Sequence, residues 1–393
     1  MLEKQKPLAS GVRLQTLLTH EPGERPYGAV AAPLYLNSLF TFDSFEQMKN
    51  NRSRYVCPRM GNPAAESLEQ KLAALEGGEA AKVFASGMAA ISTVLFHYLK
   101  QGDHIICSYP VYGGMYAFLS QILQRYGVEY DFVDFRRPEQ VRASIRANTR
   151  LLYTEGYSTM FMDIFDLRPI TAIAKEHGLI SVIDNTCATP ATLKPLAWGF
   201  DAVIHSLSKY LSGHSDLVGG AVISDKATIE HLTKIEVSLI GTTLAPFEAW
   251  LVNRSLRTFA LRMKQHAESA MLVAQRLQEH PKVSRVNFPF LPMHEQHSLA
   301  RKQFASPTGL LSFELTGGAP MVQRFIDSLR LVQLGVGWGG FESLVYAPAI
   351  GWQREQMKGS EYEDRVNRLV RLSVGLEDPR DLLEDIEQAL NKA

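Results

Sequence analysis

Apolar and polar positions follow two rhythms along this chain. Leu68, Leu72 and Leu75 recur at helical spacing, and Gly77-Gly78 stops the helix they predict over Glu66 to Leu75. Short apolar runs predict strands at Lys82–Phe84, His104–Cys107, Val128–Val133, Leu151–Thr154, Ile180–Ile183, Ala202–Ile204 and Gly220–Ile223. Helical patterns separate many of them: Gly87 to Lys100, Tyr116 to Arg125 and Ile170 to His177, the last closed by Gly178. Strands alternating with helices imply crossovers, and therefore a largely parallel sheet with helices on both faces.

The rhythm changes at both ends. The opening is irregular, with Pro22, Gly23, Pro26, Gly28 and Pro33, and reads as an extended arm over residues 1–60. Residues 61–250 read as a large α/β domain. Ile229 to His280 is mostly helical and long enough to lead into a second unit, residues 251–393. That unit holds strand-like Leu311–Leu315 and Arg371–Val374 and a closing helix Asp381–Leu390, a smaller α+β domain.

Composition narrows the classes. The 393 residues include 41 basic and 41 acidic side chains, so no global field attracts nucleic acid or an acidic membrane. No apolar run reaches the ~18 residues of a spanning helix, and the charged opening Met1–Pro7 has no apolar stretch after it, unlike a secretory signal. Three cysteines, Cys57, Cys107 and Cys187, suggest reduced thiols and a cytoplasmic home. His294 and His297 are three apart rather than four, so a solvated loop is favoured there and no metal is expected.

Three segments carry candidate chemistry. Ser181–Asp184 is an apolar strand ending in a carboxylate, at the edge where open parallel sheets bind ligands; a loop-capping aspartate would look the same. His205-Ser206-Leu207-Ser208-Lys209 sets a lysine among hydroxyls after the next strand; such a lysine can form a Schiff base, though most lysines are ordinary surface residues. Phe84-Ala85-Ser86-Gly87-Met88 is a strand, a small-residue turn and a helix start, whose free amides suit an anion or merely make a tight turn. Together they supply a phosphate cradle, an amine and, 25 residues before it, an acid. Those are the needs of pyridoxal 5′-phosphate: a lysine at the aldehyde, an acid at the pyridine nitrogen and donors at the phosphate.

The segments Asp184–Pro190, His205–Asp216 and Arg371–Glu377, in that order, resemble the pyridoxal-phosphate enzymes of Cys/Met metabolism, the transsulfuration group. The resemblance runs from about Ala32 to the C-terminus and implies the fold-type I architecture. It implies that Lys209 is the Schiff-base lysine and moves the Cα proton, and that Asp184 partners the pyridine nitrogen. Tyr112 matches the ring-stacking tyrosine that assists proton transfer. Gly87 and Met88 match the phosphate-binding amides, and Ser206 and Ser208 the hydroxyl donors. Arg371 matches the clamp on the substrate α-carboxylate, which suits a planar bidentate donor. Arg59 matches an arginine that reaches the phosphate from a neighbouring subunit, implying a homotetramer of two tight dimers with shared active sites.

The chain departs from the family at three places. Cys57 stands where the family has a tyrosine, with Tyr55 two residues off register; a thiol is a weak donor. Thr159 stands in place of an asparagine that contacts the ring's 3′ oxygen. Gly337-Trp338-Gly339-Gly340 replaces Ser-Leu-Gly-Gly and resembles the enterobacterial cystathionine β-lyase form, whose tryptophan lines the substrate site. Trp338 is read as a pocket residue rather than core, while Gly337 removes a serine from the carboxylate contact.

The leading expectation is a carbon–sulfur β-lyase that cleaves cystathionine or a related cysteine thioether to a thiol, pyruvate and ammonia. The alternative on the same scaffold is γ-chemistry: methionine or cystathionine γ-lyase, or γ-replacement on an activated homoserine. A cofactor-free binding relative is the rival of another class; Lys209, Asp184 and Arg371 together argue against it.

Overall fold

A computed structural model describes residues 12–20, 26–50, 54–350 and 357–393. Its main sheet has seven strands: β1 (Ala80–Phe84), β2 (His104–Ser108), β3 (Glu129–Val133), β4 (Thr149–Glu155), β5 (Ile180–Asp184), β6 (Ala202–Ser206) and β7 (Gly220–Ser224). The spatial order is β1-β7-β6-β5-β4-β2-β3. Strands β2 to β6 pair in parallel, while β7 runs antiparallel to both β6 and β1. Strand β1 therefore runs the same way as β2 to β6, and the carboxyl ends of all six lie on one edge. The apolar runs read from the sequence are the strands buried on both faces, as in β2 and β7.

Helices start and stop where local chemistry dictates. In α3 (Pro63–Glu76), Asn62 caps the Ala65 amide at 3.0 Å and Gly77 ends the helix at φ +77°. Its Leu68, Leu72 and Leu75 are fully buried, which confirms the periodicity. Short helices α2 (Phe45–Lys49) and α6 (Pro138–Ala143) add little; helix α4 (Gly87–Tyr98) is capped by Ser86, and α7 (Leu167–His177) closes at Gly178 with φ +64°.

Three other expectations meet corrections. The opening arm is irregular in most of its described residues, but α1 (Leu14–Thr19) sinks Leu18 into the core, so this part is packed rather than extended. The helix expected over Tyr116–Arg125 is three short pieces: α5 (Gly113–Ala117), a π-turn (Phe118–Ile122) and a 3-10 turn (Leu123–Tyr126). The helical stretch from Ile229 is broken into α8 (Lys226–Leu232), a π-turn (Thr233–Val237), α9 (Ser238–Ile240), α10 (Pro246–Leu256) and α11 (Phe259–Glu279). Gly241 at φ +82° and Pro246 impose the break between α9 and α10.

A second sheet follows α11. Its strands are β8 (Val283–Asn287), β9 (Leu310–Leu315), β10 (Gln333–Leu334), β11 (Leu344–Tyr346) and β12 (Leu369–Ser373), in the order β10-β11-β12-β9-β8. Three of these escaped the sequence pattern because β10 and β11 are very short and β8 mixes Val with Ser, Arg and Asn. No helix among the described residues is long and apolar enough to cross a membrane.

Candidate active site

Parallel strands deliver the site. Strand β4 ends at Glu155 and β5 at Asp184, and these two stand side by side in register. Strand β6 ends at Ser206, and the turn after it carries Ser208 and Lys209. Strand β1 ends two residues before Ser86 and the start of α4, and the loop after β2 carries Tyr112. The small sheet closes the opposite side with Arg371 on β12, Tyr346 on β11, and Val336 and Trp338 on the segment between β10 and β11. A cavity of about 450 Å³ lies between the two sheets.

That cavity gathers ten of the residues singled out from the sequence. Lys209, Asp184, Tyr112, Thr159, Arg371 and Trp338 line it, and so do Gly87, Met88, Ser206 and Ser208. Arg59 does not: it is exposed on its own chain, where its carbonyl accepts from the Thr243 hydroxyl at 2.6 Å. Cys57 is half-buried, and the nearby Tyr55 hydroxyl donates to Glu66. His294 and His297 form no ligand cluster among the described residues.

The phosphate-sized corner follows from close backbone approach. Ser86 Oγ accepts the Ala89 amide at 3.0 Å, while the Gly87 and Met88 amides take no acceptor among the described residues. A Cβ on Gly87 would lie 2.9 Å from the Ser206 Cβ, and one on Gly220 would strike the Ser86 carbonyl oxygen at 2.1 Å. Only glycine lets β7 and β6 press against this turn. Such a helix start attracts an anion.

Electrostatics divides the cavity. Burial pushes the Glu155 carboxyl well above its ordinary range, and the neighbouring Asp184 charge adds to the shift; amides of Tyr112, at 2.6 Å, and Thr159 oppose it. Burial also raises Asp184, against two donor bonds from Thr186, whose amide is at 2.9 Å and whose hydroxyl binds the same oxygen. Of the two carboxyls Glu155 is the one shifted further, and Asp184 the one with donors that favour its charged form. Behind it, His205 binds Glu76 at 2.5 Å and the Asn185 amide donates to the same carboxylate at 2.9 Å, a fully buried brace for the ends of β5 and β6.

On the other side, burial and then the Arg371 charge lower the Lys209 ammonium. The Lys209 amine lies 5.1 Å from the centre of the Trp338 ring. Arg371 is 4% exposed, and burial lowers its guanidinium to about 10. It donates to the Val336 carbonyl at 2.7 Å and lies 5.1 Å above the Tyr346 ring. Neither Lys209 nor Arg371 has an acidic partner among the described residues. A buried guanidinium without a counter-ion is a receptor for a carboxylate.

The sequence reading gave Glu155, Thr186 and Cys187 no role, although all three line the cavity. Glu155 ends a strand as Asp184 does, so the same argument would have found it. Burial raises the Cys187 thiol far above its ordinary range, which keeps it neutral.

Comparison with known proteins decides the family. The model of the Cys/Met metabolism PLP-dependent enzymes matches residues 15–391. The chain belongs to this family. An L-methionine gamma-lyase of Porphyromonas gingivalis is 39% identical over 378 residues, covering 94% of each chain. A cystathionine beta-lyase of Coxiella burnetii is 39% identical over 374 residues, covering 94% of this chain and 95% of that one. The crystal structure of a cystathionine gamma-lyase from Lactobacillus plantarum, complexed with L-serine, superposes with a TM-score of 0.89 at 35% identity, covering 97% and 99%. The two-sheet architecture is thus fold-type I, and the enzyme is a pyridoxal-phosphate-dependent carbon–sulfur lyase. The residues fit the cofactor: one cavity holds an amine without a counter-ion, a carboxylate at a strand end and two free amides at a helix start.

Proposed function

We propose that this enzyme is a β-lyase acting on cystathionine or a related cysteine thioether. Lys209 would hold the cofactor aldehyde and Asp184 its ring nitrogen. Gly87, Met88, Ser206 and Ser208 would hold the phosphate, Tyr112 the ring face and Thr159 the 3′ oxygen. When bound, the cofactor supplies an electron sink for the electrons released at Cα.

The chain's own groups do the rest. Arg371 binds the substrate α-carboxylate and fixes Cα against Lys209. Lys209, whose ammonium is lowered by burial and Arg371, is suited to take the Cα proton. Burial raises the Tyr112 phenol, so it keeps a proton to offer the departing thiolate. Loss of the thiol leaves a three-carbon enamine, which water converts to pyruvate and ammonia.

Trp338 carries the preference for Cβ. Its indole stands beside the Lys209 amine, packs 5.7 Å from Tyr210 and occupies the side of the cavity facing the small sheet. At 9% exposure it both packs in the core and lines the cavity, and we read its place beside Lys209 as support for cleavage at Cβ. The methionine gamma-lyase relatives support a second reading, γ-elimination or γ-replacement, which needs another proton removed from Cβ. The test is to incubate the cofactor-loaded enzyme with L-cystathionine and identify the keto acid. Pyruvate with homocysteine supports β-cleavage; 2-oxobutyrate with cysteine overturns it.

The exposed Arg59 fits a site completed by a second subunit, with two such dimers forming a homotetramer in the cytoplasm. A solution mass equal to one chain would refute that assembly.

A further inference from the structure

At the far end of α4 from the cavity, His97, His231 and Glu236 converge. Their ligand atoms all lie within 4.8 Å of one another. The His97 Nδ1 and Glu236 Oε1 atoms are 3.3 Å apart, and the two imidazole rings are 5.0 Å apart between centroids. The π-turn makes this possible. In an α-helix, residues five apart point about 140° away from each other. The wider turn over Thr233–Val237 returns Glu236 to the face that carries His231.

We propose that these three side chains bind a divalent first-row transition cation such as Zn²⁺. Two imidazole nitrogens and one carboxylate oxygen are the donors such an ion prefers, whereas Ca²⁺ and Mg²⁺ favour oxygen sets. Zinc bonds of roughly 2.0–2.2 Å place tetrahedral donors about 3.3–3.5 Å apart, the spacing His97 and Glu236 already have. His231 is exposed, and its ring would have to turn inward from its edge contact with His97 to cover the remaining distance. The His97 and Glu236 side chains are only 12% and 11% exposed. Glu236 Oε2 is buried without a hydrogen-bond partner, and no lysine or arginine pairs with Glu236 among the described residues. A buried carboxylate oxygen lacking both is what a cation would satisfy.

The ion would pin α4 to the α8 segment. That segment runs on to Thr242, whose carbonyl accepts the Ala85 amide at 2.9 Å behind the phosphate-binding turn. The cavity itself lies roughly 15 Å away along α4, so the expected effect is on stability rather than turnover.

The test uses the cofactor-loaded enzyme, stripped of metal with chelator and dialysed against Zn²⁺, with His231→Ala and Glu236→Gln alongside. Wild type should take up one Zn²⁺ per chain and melt at higher temperature with it. Each variant should bind at least about tenfold more weakly and lose the melting shift, with turnover within twofold of wild type. His231 is exposed, so its alanine variant should fold. Absence of saturable one-to-one uptake overturns the site, as does unchanged affinity in both variants, which would place the metal elsewhere.

Discussion

Glu314 and Arg371 lie on adjacent strands of the small sheet, and each is almost wholly buried, at 3% and 4% exposed. Glu314 on β9 is held by Arg365 at 2.7 Å and Arg368 at 3.8 Å. Arg371 on β12 has two carbonyls and an aromatic face but no carboxylate. One charge is neutralised by the fold; the other awaits a ligand. Burying a charge without a counter-ion costs stability, so its presence at the mouth of a cavity marks binding rather than folding. Lys209, across the cavity, shares that state.

The contrast can be broken at Lys209 first. Lys209→Ala should lower turnover by at least about 10³-fold and remove the visible absorption of the bound cofactor. Its melting temperature should stay at or above that of the cofactor-free wild type, because no folded-state partner is lost. Arg371→Lys comes next. A point charge cannot replace the planar fork, so kcat/KM should fall about 10- to 100-fold, roughly 1.4–2.7 kcal/mol, mostly through KM. Equal kinetics in that variant would mean that Arg371 does not clamp the carboxylate.

Glu314→Gln tests the other half. It leaves Arg365 and Arg368 without their shared anion and should cost about 1–3 kcal/mol of stability by denaturant unfolding, with kcat/KM within twofold of wild type. A large kinetic defect would erase the distinction between the two sites.

An effect confined to a narrow pH window sharpens it further. His266 is fully buried on α11 and donates to the Val374 carbonyl at 2.8 Å, just past β12. Burial lowers its pKa from 6.5 to about 4. Between those values the unfolded chain binds a proton that the folded chain does not, so stability rises with pH. Up to ~3 kcal/mol is therefore lost as pH falls from 6.5 toward 4. His266→Phe should flatten that part of the unfolding curve, and an unchanged slope would show that His266 is not the group responsible.

Much of the site was legible in the sequence because parallel strands end at one edge. Asp184 and Lys209 follow apolar runs, and Ser86-Gly87-Met88 joins a strand to a helix, so strand direction alone brings them together. Glu155 obeys the same rule, ending β4 opposite Asp184, but a carboxylate at a strand end reads equally as a loop cap until its burial is seen. The π-turn after α8 was not legible, because its five-residue spacing resembles neither helix nor strand. Nor was the reversal of β7: an apolar run has the same pattern in either direction.

The sequence by itself determined the apolar strands, the capped helices and the order of the chemical segments, because those depend on neighbours within a few residues. Only the tertiary structure decided which charges would be left without partners. Glu314 and Arg371 are oppositely charged residues in similarly apolar strands. Their difference comes from Arg365 and Arg368 folding back over one of them, and from a cavity opening beside the other.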